Sequence, residues 1–217
     1  MAEDWQLRWH EGRIGWHEAA GNAALAKFWP AVPKGSRVLV PLCGKSPDLL
    51  WLAKQGYEVT GIELSEIAIR AFFEESDLRF ETGSAGKLSW FHCKNPAITL
   101  YCGDYFEFAA QSGSATPFDA LYDRASLIAL PLGDRPAYIR HTQSLLKPAA
   151  QQLLITLEYD QSVAAGPPFS VPADEVRRYW NCLHRVLEHN AIDSTPPKFR
   201  NAGLTVVMEA VWVSERR

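Results

Sequence analysis

With 217 residues, 47% of them hydrophobic and 22% charged, the chain can bury one sizeable core and has an ordinary globular composition. A net charge of −3 argues against a general nucleic-acid footprint, and no apolar run approaches the roughly 18 residues that cross a bilayer. Four cysteines without a CxxC pair signal neither a zinc site nor a disulfide framework.

The start, Met1-Ala2-Glu3-Asp4, is acidic and lacks the basic and apolar regions of a secretory signal. The expectation is a cytoplasmic monomer with a small-molecule partner, no nucleic acid, no membrane and no metal. Three of the eight tryptophans, Trp5, Trp9 and Trp16, crowd the beginning of the chain. Trp5 and Trp9 are spaced to share a helix face, and Gly12 and Gly15 break its continuation. A second helix is expected from about Glu18 to Trp29, ended by Pro30 and Pro33. Residues 1–30 thus read as a helical lid on a core spanning 36–213, the whole forming a single domain.

The run Val38-Leu39-Val40 reads as a buried strand, followed by the turn Pro41-Leu42-Cys43-Gly44-Lys45. Ser46 is placed to cap the next helix, Pro47 suits its first position, Asp48 complements its dipole, and Gly56 ends it. Tyr57 to Glu63 makes a second strand, and Ser65 caps a helix carrying Ile67, Ile69, Phe72 and Phe73. Ser76 to Asn95 reads as irregular and polar. Further strands are expected at Ala97–Cys102, Phe118–Tyr122 and Leu153–Leu157, with a helix from Asp134 to Leu146. After Gly166-Pro167-Pro168 comes a helix beginning near Pro172. His184 to Glu188 and Leu204 to Val213 then form an antiparallel closing pair. Alternating strands and helices indicate an α/β fold with a mostly parallel sheet covered on both faces.

Ligands of such sheets bind outside the carboxyl ends of the strands. Four predicted ends carry informative residues: Leu42-Cys43-Gly44, Glu63, Asp104 and Asp123-Arg124. Glu63 follows Gly44 by 19 residues, close to the spacing at which an acid accepts from ribose hydroxyls. Gly44-Lys45-Ser46 ends like a phosphate loop, but Leu39 stands where that loop needs its first glycine. The dinucleotide fingerprint fails too, since Gly44 is its only glycine and Pro41 removes a donor. A ligand with a ribose and no pyrophosphate fits better. His184 to His189 misses an HxxEH pattern by one residue, and no GxSxG elbow exists. Arg124 could hold an anionic group by two parallel hydrogen bonds, or could simply pair with Asp123.

These residues together resemble the thiopurine S-methyltransferases, in their shorter, bacterial form. The resemblance rests on Trp5-x-x-x-Trp9-x-x-Gly12, Val40-Pro41-Leu42-Cys43-Gly44-Lys45, Gly61-Ile62-Glu63-Leu64-Ser65 and Tyr122-Asp123-Arg124. Gly133-Asp134-Arg135, Tyr159-Asp160 and Gly166-Pro167-Pro168-Phe169 extend it over about Trp5 to Val213. It implies the seven-stranded, Rossmann-like fold of S-adenosylmethionine-dependent methyltransferases. It also implies methyl transfer to thiopurines or other aromatic heterocyclic thiols, with selenium or tellurium species or halide as alternative acceptors. By matching position, Trp9, Leu42, Glu63, Asp104, Tyr105 and Arg124 would bind S-adenosylmethionine, which leaves as S-adenosylhomocysteine. Arg124 and Asp123 would serve catalysis, Asp123 either as orienter or as proton acceptor. Trp5 and Trp16 would contact the substrate, Trp16 standing where the family often has phenylalanine. Lys198 and Arg200 are further candidate cations.

Overall fold

The computed structural model describes residues 5–108 and 117–215. The reading of Met1-Ala2-Glu3-Asp4 as no signal lies outside the described residues. The described helices are α1 (Trp5–His10), α2 (Ala23–Phe28), α3 (Asp48–Lys54), α4 (Glu66–Glu75), α5 (Arg135–Leu145), α6 (Ala173–Tyr179) and α7 (Lys198–Asn201). The strands are β1 (Arg37–Pro41), β2 (Glu58–Glu63), β3 (Glu81–Ala85), β4 (Leu88–Cys93) and β5 (Ile98–Cys102). They continue as β6 (Phe118–Arg124), β7 (Leu146–Glu158), β8 (Leu183–Asn190) and β9 (Met208–Ser214). None of these helices is long and apolar enough to cross a membrane.

The chain forms two compact units. The first comprises Met1–Asn22, Val32–Ala120 and Leu145–Ala150. Its sheet runs β3-β4-β5-β2-β1, with β1, β2 and β5 parallel and the β3–β4 hairpin added antiparallel at the edge. Val38 and Leu39 are wholly buried, as expected of a strand covered on both faces. The cover comes from Leu49 and Leu52 of α3 and from Ala68, Ile69, Phe72 and Phe73 of α4, all buried. Parallel pairing from Val38↔Val59 to Pro41↔Ile62 and from Val59↔Ile98 to Glu63↔Cys102 brings three strand carboxyl ends level. That alignment is what sets Leu42, Glu63 and Asp104 side by side.

The second unit comprises Ala23–Ala31, Leu121–Ser144 and Gln151–Arg217. Here β9 pairs antiparallel with both β7 and β8, around the buried side chains Leu153, Leu154, Val211 and Trp212. Trp212 satisfies its indole by donating to Thr156 Oγ1 at 3.0 Å. Tyr138 and Ile139 of α5 and Val176 of α6 complete this core.

Several expectations are corrected. Residues 76–95 are not irregular: they hold the β3–β4 hairpin, closed by Gly86 at φ 62°. A first turn residue with positive φ matches the right-handed twist of the strands, and in β4 Phe91 and Cys93 are buried with the half-buried His92 between them, as strand alternation requires. This hairpin is one reason the described strands number nine rather than seven. The helix expected over Glu18 to Trp29 is confined to α2, since Gly21 at φ 76° breaks it. Leu146 opens β7 instead of closing α5, and β9 begins at Met208, leaving residues 204–207 outside it. Ser46 Oγ does accept from Asp48 N at 3.2 Å, whereas Ser65 makes no side-chain cap.

Gly61, in β2, is required by close packing. A Cβ there would lie 2.7 Å from both Cys43 Sγ and Leu100 Cδ2. Replacement by alanine overpacks the first unit, and Gly61→Ala is expected to lower stability by about 1–3 kcal/mol in chemical denaturation.

Candidate active site

In the first unit the site is built around one carboxylate. Glu63 closes β2 and is buried. Its Oε2 accepts from Gly44 N and its Oε1 from Ser65 N, each at 2.9 Å. The carboxylate therefore ties the turn after β1 to the start of α4, while Gly103 N donates to the Glu63 carbonyl at 3.0 Å. Burial raises its carboxyl above the ordinary value, and the N–H groups of Ser65, Gly44 and Leu64 pull the other way. A carboxylate has about four acceptor positions, so two backbone donors leave capacity for ligand hydroxyls.

The turn itself is bent by two left-handed residues, Leu42 at φ 45° and Gly44 at φ 54°. A leucine in that region is strained by roughly 1–2 kcal/mol, and such strain concentrates where a ligand is held. Cys43 N is anchored on Ile62 O at 3.0 Å, which fixes the turn over β2. Lys45 is directed away, onto Glu75 at 2.5 Å, so it cannot serve as a phosphate-loop lysine. Burial pushes the Cys43 thiol well above its usual range and Cys102 up to about 11. Neither thiol is an activated nucleophile.

Asp104 is exposed and caps the short 3-10 turn Tyr105–Glu107 through Phe106 N at 2.9 Å, and Tyr105 is buried beside it. The tryptophans join the same group. Trp16 meets the edges of Trp5 and Trp9 at centroid distances of 5.2 and 5.8 Å. Trp9 lies against the turn, its ring 3.2 Å from where a Gly44 Cβ would stand. Arg8 stacks over Trp5 at 5.1 Å and over Trp16 at 5.8 Å. The structure thus links Trp5, Trp9, Trp16, Leu42, Glu63, Asp104 and Tyr105 within one unit.

Asp123 and Arg124 belong to the second unit, at the end of β6. Asp123 is completely buried, accepting from Tyr138 Oη at 2.7 Å and from Leu127 N at 3.2 Å. Burial pushes its carboxyl up to about 6, against the hydrogen bonds from Tyr138, Leu127 and Ser126. Arg124 is half-buried, and Ala125 after it is left-handed at φ 63°. The other cations are engaged: Lys198 Nζ donates to Ala165 O at 2.9 Å and Pro167 O at 2.5 Å, and Arg200 pairs with Asp193 at 2.7 Å. Sequence reasoning missed the Asp123 partner Tyr138, because nothing in a helical tyrosine advertises a bond to a strand end. It also missed that Glu63 binds two backbone amides, a contact that has no signature in residue type.

Solved structures with related folds include the Burkholderia thailandensis 1,6-didemethyltoxoflavin-N1-methyltransferase with bound 1,6-didemethyltoxoflavin and S-adenosylhomocysteine. It matches 98% of this chain and 86% of its own at TM-score 0.60 and 19% identity. A TehB-like S-adenosylmethionine-dependent methyltransferase from Corynebacterium glutamicum matches 99% of this chain and 98% of its own, at TM-score 0.53 and 18% identity. The mixed α/β sheet is that of the S-adenosylmethionine-dependent methyltransferases, and this chain is an enzyme of that class. The family model described as "Thiopurine S-methyltransferase (TPMT)" matches residues 1–217. Curated thiopurine S-methyltransferases from Bordetella petrii and Photobacterium profundum are 42% and 44% identical. The former match covers 100% of this chain and 99% of the relative, the latter 99% and 98%. The chain belongs to the thiopurine S-methyltransferase family.

Two expectations follow from the carboxylates. Glu63→Gln keeps the shape but presents one amide nitrogen to a backbone donor, leaving Gly44 N or Ser65 N unpaired. Cofactor affinity by calorimetry should fall about tenfold or more, with a stability loss of about 1–3 kcal/mol. For Asp123, a folded pKa near 6 against a usual 3.8 means the folded state holds its proton more tightly. Its contribution is fully present below pH 3.8 and is lost as pH rises to about 6. Asp123→Asn should remove that fall from the stability–pH profile measured by urea denaturation.

Proposed function

We propose that the enzyme methylates the sulfur of thiopurines and related aromatic heterocyclic thiols, the activity for which its family is named. The single observation that carries the reading is the Glu63–Gly44–Ser65 arrangement beneath a tryptophan-lined turn, in a chain matched end to end by that family. S-adenosylmethionine supplies, when bound, an electrophilic methyl group on a sulfonium. The residues fit it. Glu63 has acceptor capacity for ribose hydroxyls, and the left-handed Leu42 and Gly44 open the turn for close approach. Asp104 and Tyr105 lie beside the Glu63 strand end, where the base of a nucleoside would be held.

Trp9 then covers the turn and excludes water, and aromatic faces suit a cationic sulfur at about 0.5–2 kcal/mol per contact. Trp5 and Trp16 offer ring edges and faces for an aromatic acceptor. In the second unit, Arg124 binds the acceptor's anionic form, as its matched position implies. An acceptor that is already a thiolate needs no strong general base. Asp123 acts by orienting: its bonds to Tyr138 and Leu127 tie the strand end that carries Arg124 to α5 and to the turn that follows. Alignment and exclusion of water supply the rate acceleration.

The same reading takes residues 1–217 as a single methyltransferase domain, acting as a cytoplasmic monomer on a small-molecule thiol. Among the described residues, no feature favours selenium or tellurium species or halide over thiols as acceptor.

The direct test is turnover of a thiopurine by purified protein with S-adenosylmethionine. Binding of the cofactor with no thiol methylation would remove the acceptor assignment and leave the class intact. Arg124→Gln should raise the acceptor KM by about tenfold or more, the scale of one lost charge-assisted contact in steady-state kinetics.

A further inference from the structure

Within the second unit, one fully buried cation is not used by the site as described. Arg135 opens α5 with 2% exposure, pairing through Nη1 with Glu175 Oε2 of α6 at 2.7 Å. Two further donors go to main-chain carbonyls: Nε to Leu130 O at 3.0 Å and Nη2 to Ser170 O at 2.9 Å. One guanidinium therefore grips two segments, the one that follows Arg124 and the one that follows β7.

These two segments also bind each other, since Phe169 N donates to Ile128 O at 2.6 Å. The second segment is held from its far side as well. Tyr159 Oη donates to Pro168 O at 2.6 Å, Tyr159 N to Ser170 Oγ at 2.9 Å, and Lys198 Nζ to the Ala165 and Pro167 carbonyls. The ring of Phe169 packs against Gly166, where an added Cβ would fall 2.2 Å from Cδ1. A stretch rich in proline, with no regular structure of its own, is thus fixed through its carbonyls. A buried ion pair is poor at adding net stability, because desolvation offsets its attraction, and Glu175 Oε1 has no partner among the described residues. What the pair does provide is a unique geometry for two loops.

We propose that Arg135 and Glu175 are positioning residues for the acceptor. Through Ser170 and Leu130 they hold the 164–171 segment, with the Phe169 ring, as a fixed wall on the segment leading from Arg124. This rests on the reading of Arg124 as the acceptor-binding cation. The wall is set by fork geometry, which a lysine cannot reproduce.

The test compares Arg135→Lys, Glu175→Gln and the milder, isosteric Tyr159→Phe with the parent enzyme, in turnover of a thiopurine and in calorimetric binding of S-adenosylhomocysteine. Expected is a rise of about fivefold or more in acceptor KM for each folded variant, with S-adenosylhomocysteine affinity unchanged within about twofold. A merely structural role would lower the melting temperature and the active fraction, hence kcat, and leave KM alone. That result, or acceptor KM and S-adenosylhomocysteine affinity weakening together, overturns the proposal. Should Arg135→Lys or Glu175→Gln fail to fold, Tyr159→Phe decides by the same criterion. Arg124→Gln runs alongside: if it leaves KM unchanged the underlying site reading fails, and if it alone raises KM only the positioning role fails.

Discussion

The first unit's site depends on two hydrogen bonds to one buried side chain. Glu63 has lost most of its water, and a carboxylate in that condition must be compensated by donors. Its donors are Gly44 N and Ser65 N, which belong to the turns after two neighbouring parallel strands. The same contacts that make a buried charge tolerable hold those turns in register. Parallel pairing levels the strand ends, and the glutamate then converts that level edge into a fixed surface. The strained Leu42 and the left-handed Gly44 persist because this surface determines them on both sides.

The second unit repeats the device with different chemistry. Asp123 is more deeply buried than Glu63, and its partners include the Tyr138 phenol and the Leu127 backbone amide. It leaves the strand end bent through Ala125 and presents Arg124 rather than itself. Two acidic residues at strand ends thus differ in what they fasten: Glu63 joins two backbone turns, and Asp123 joins its strand end to a helix.

Much of this was legible in the residues. The strand ends at Leu42, Glu63, Asp104 and Arg124 were placed by apolar runs that stop where glycine and acid begin, and the resemblance tied them to a cofactor. The tryptophan spacing foretold a shared helix face. The hairpin at 81–93 was missed because its strands are short and half-polar, so their alternation is diluted by serines, lysines and glycines. The extent of β7 was missed because Pro148 signals an end, although a strand can carry proline where its N–H is not needed. Arg135 illustrates the deepest limit. Its motif, Gly133-Asp134-Arg135, was noticed as a resemblance, but a charged residue in a helix's first turn reads as solvated. Only tertiary structure reveals that a carbonyl of the preceding segment and one 35 residues away converge on it.

The indole cluster has an optical consequence. Trp5, Trp9 and Trp16 meet edge to face, and Trp9 rests on the backbone at Gly44. Closely spaced indoles in fixed, nearly perpendicular orientations couple their electronic transitions. The enzyme therefore carries an intrinsic chromophore assembly at the place where the turn after β1 bends. Changes in that turn can be followed in near-ultraviolet circular dichroism or emission without any added label.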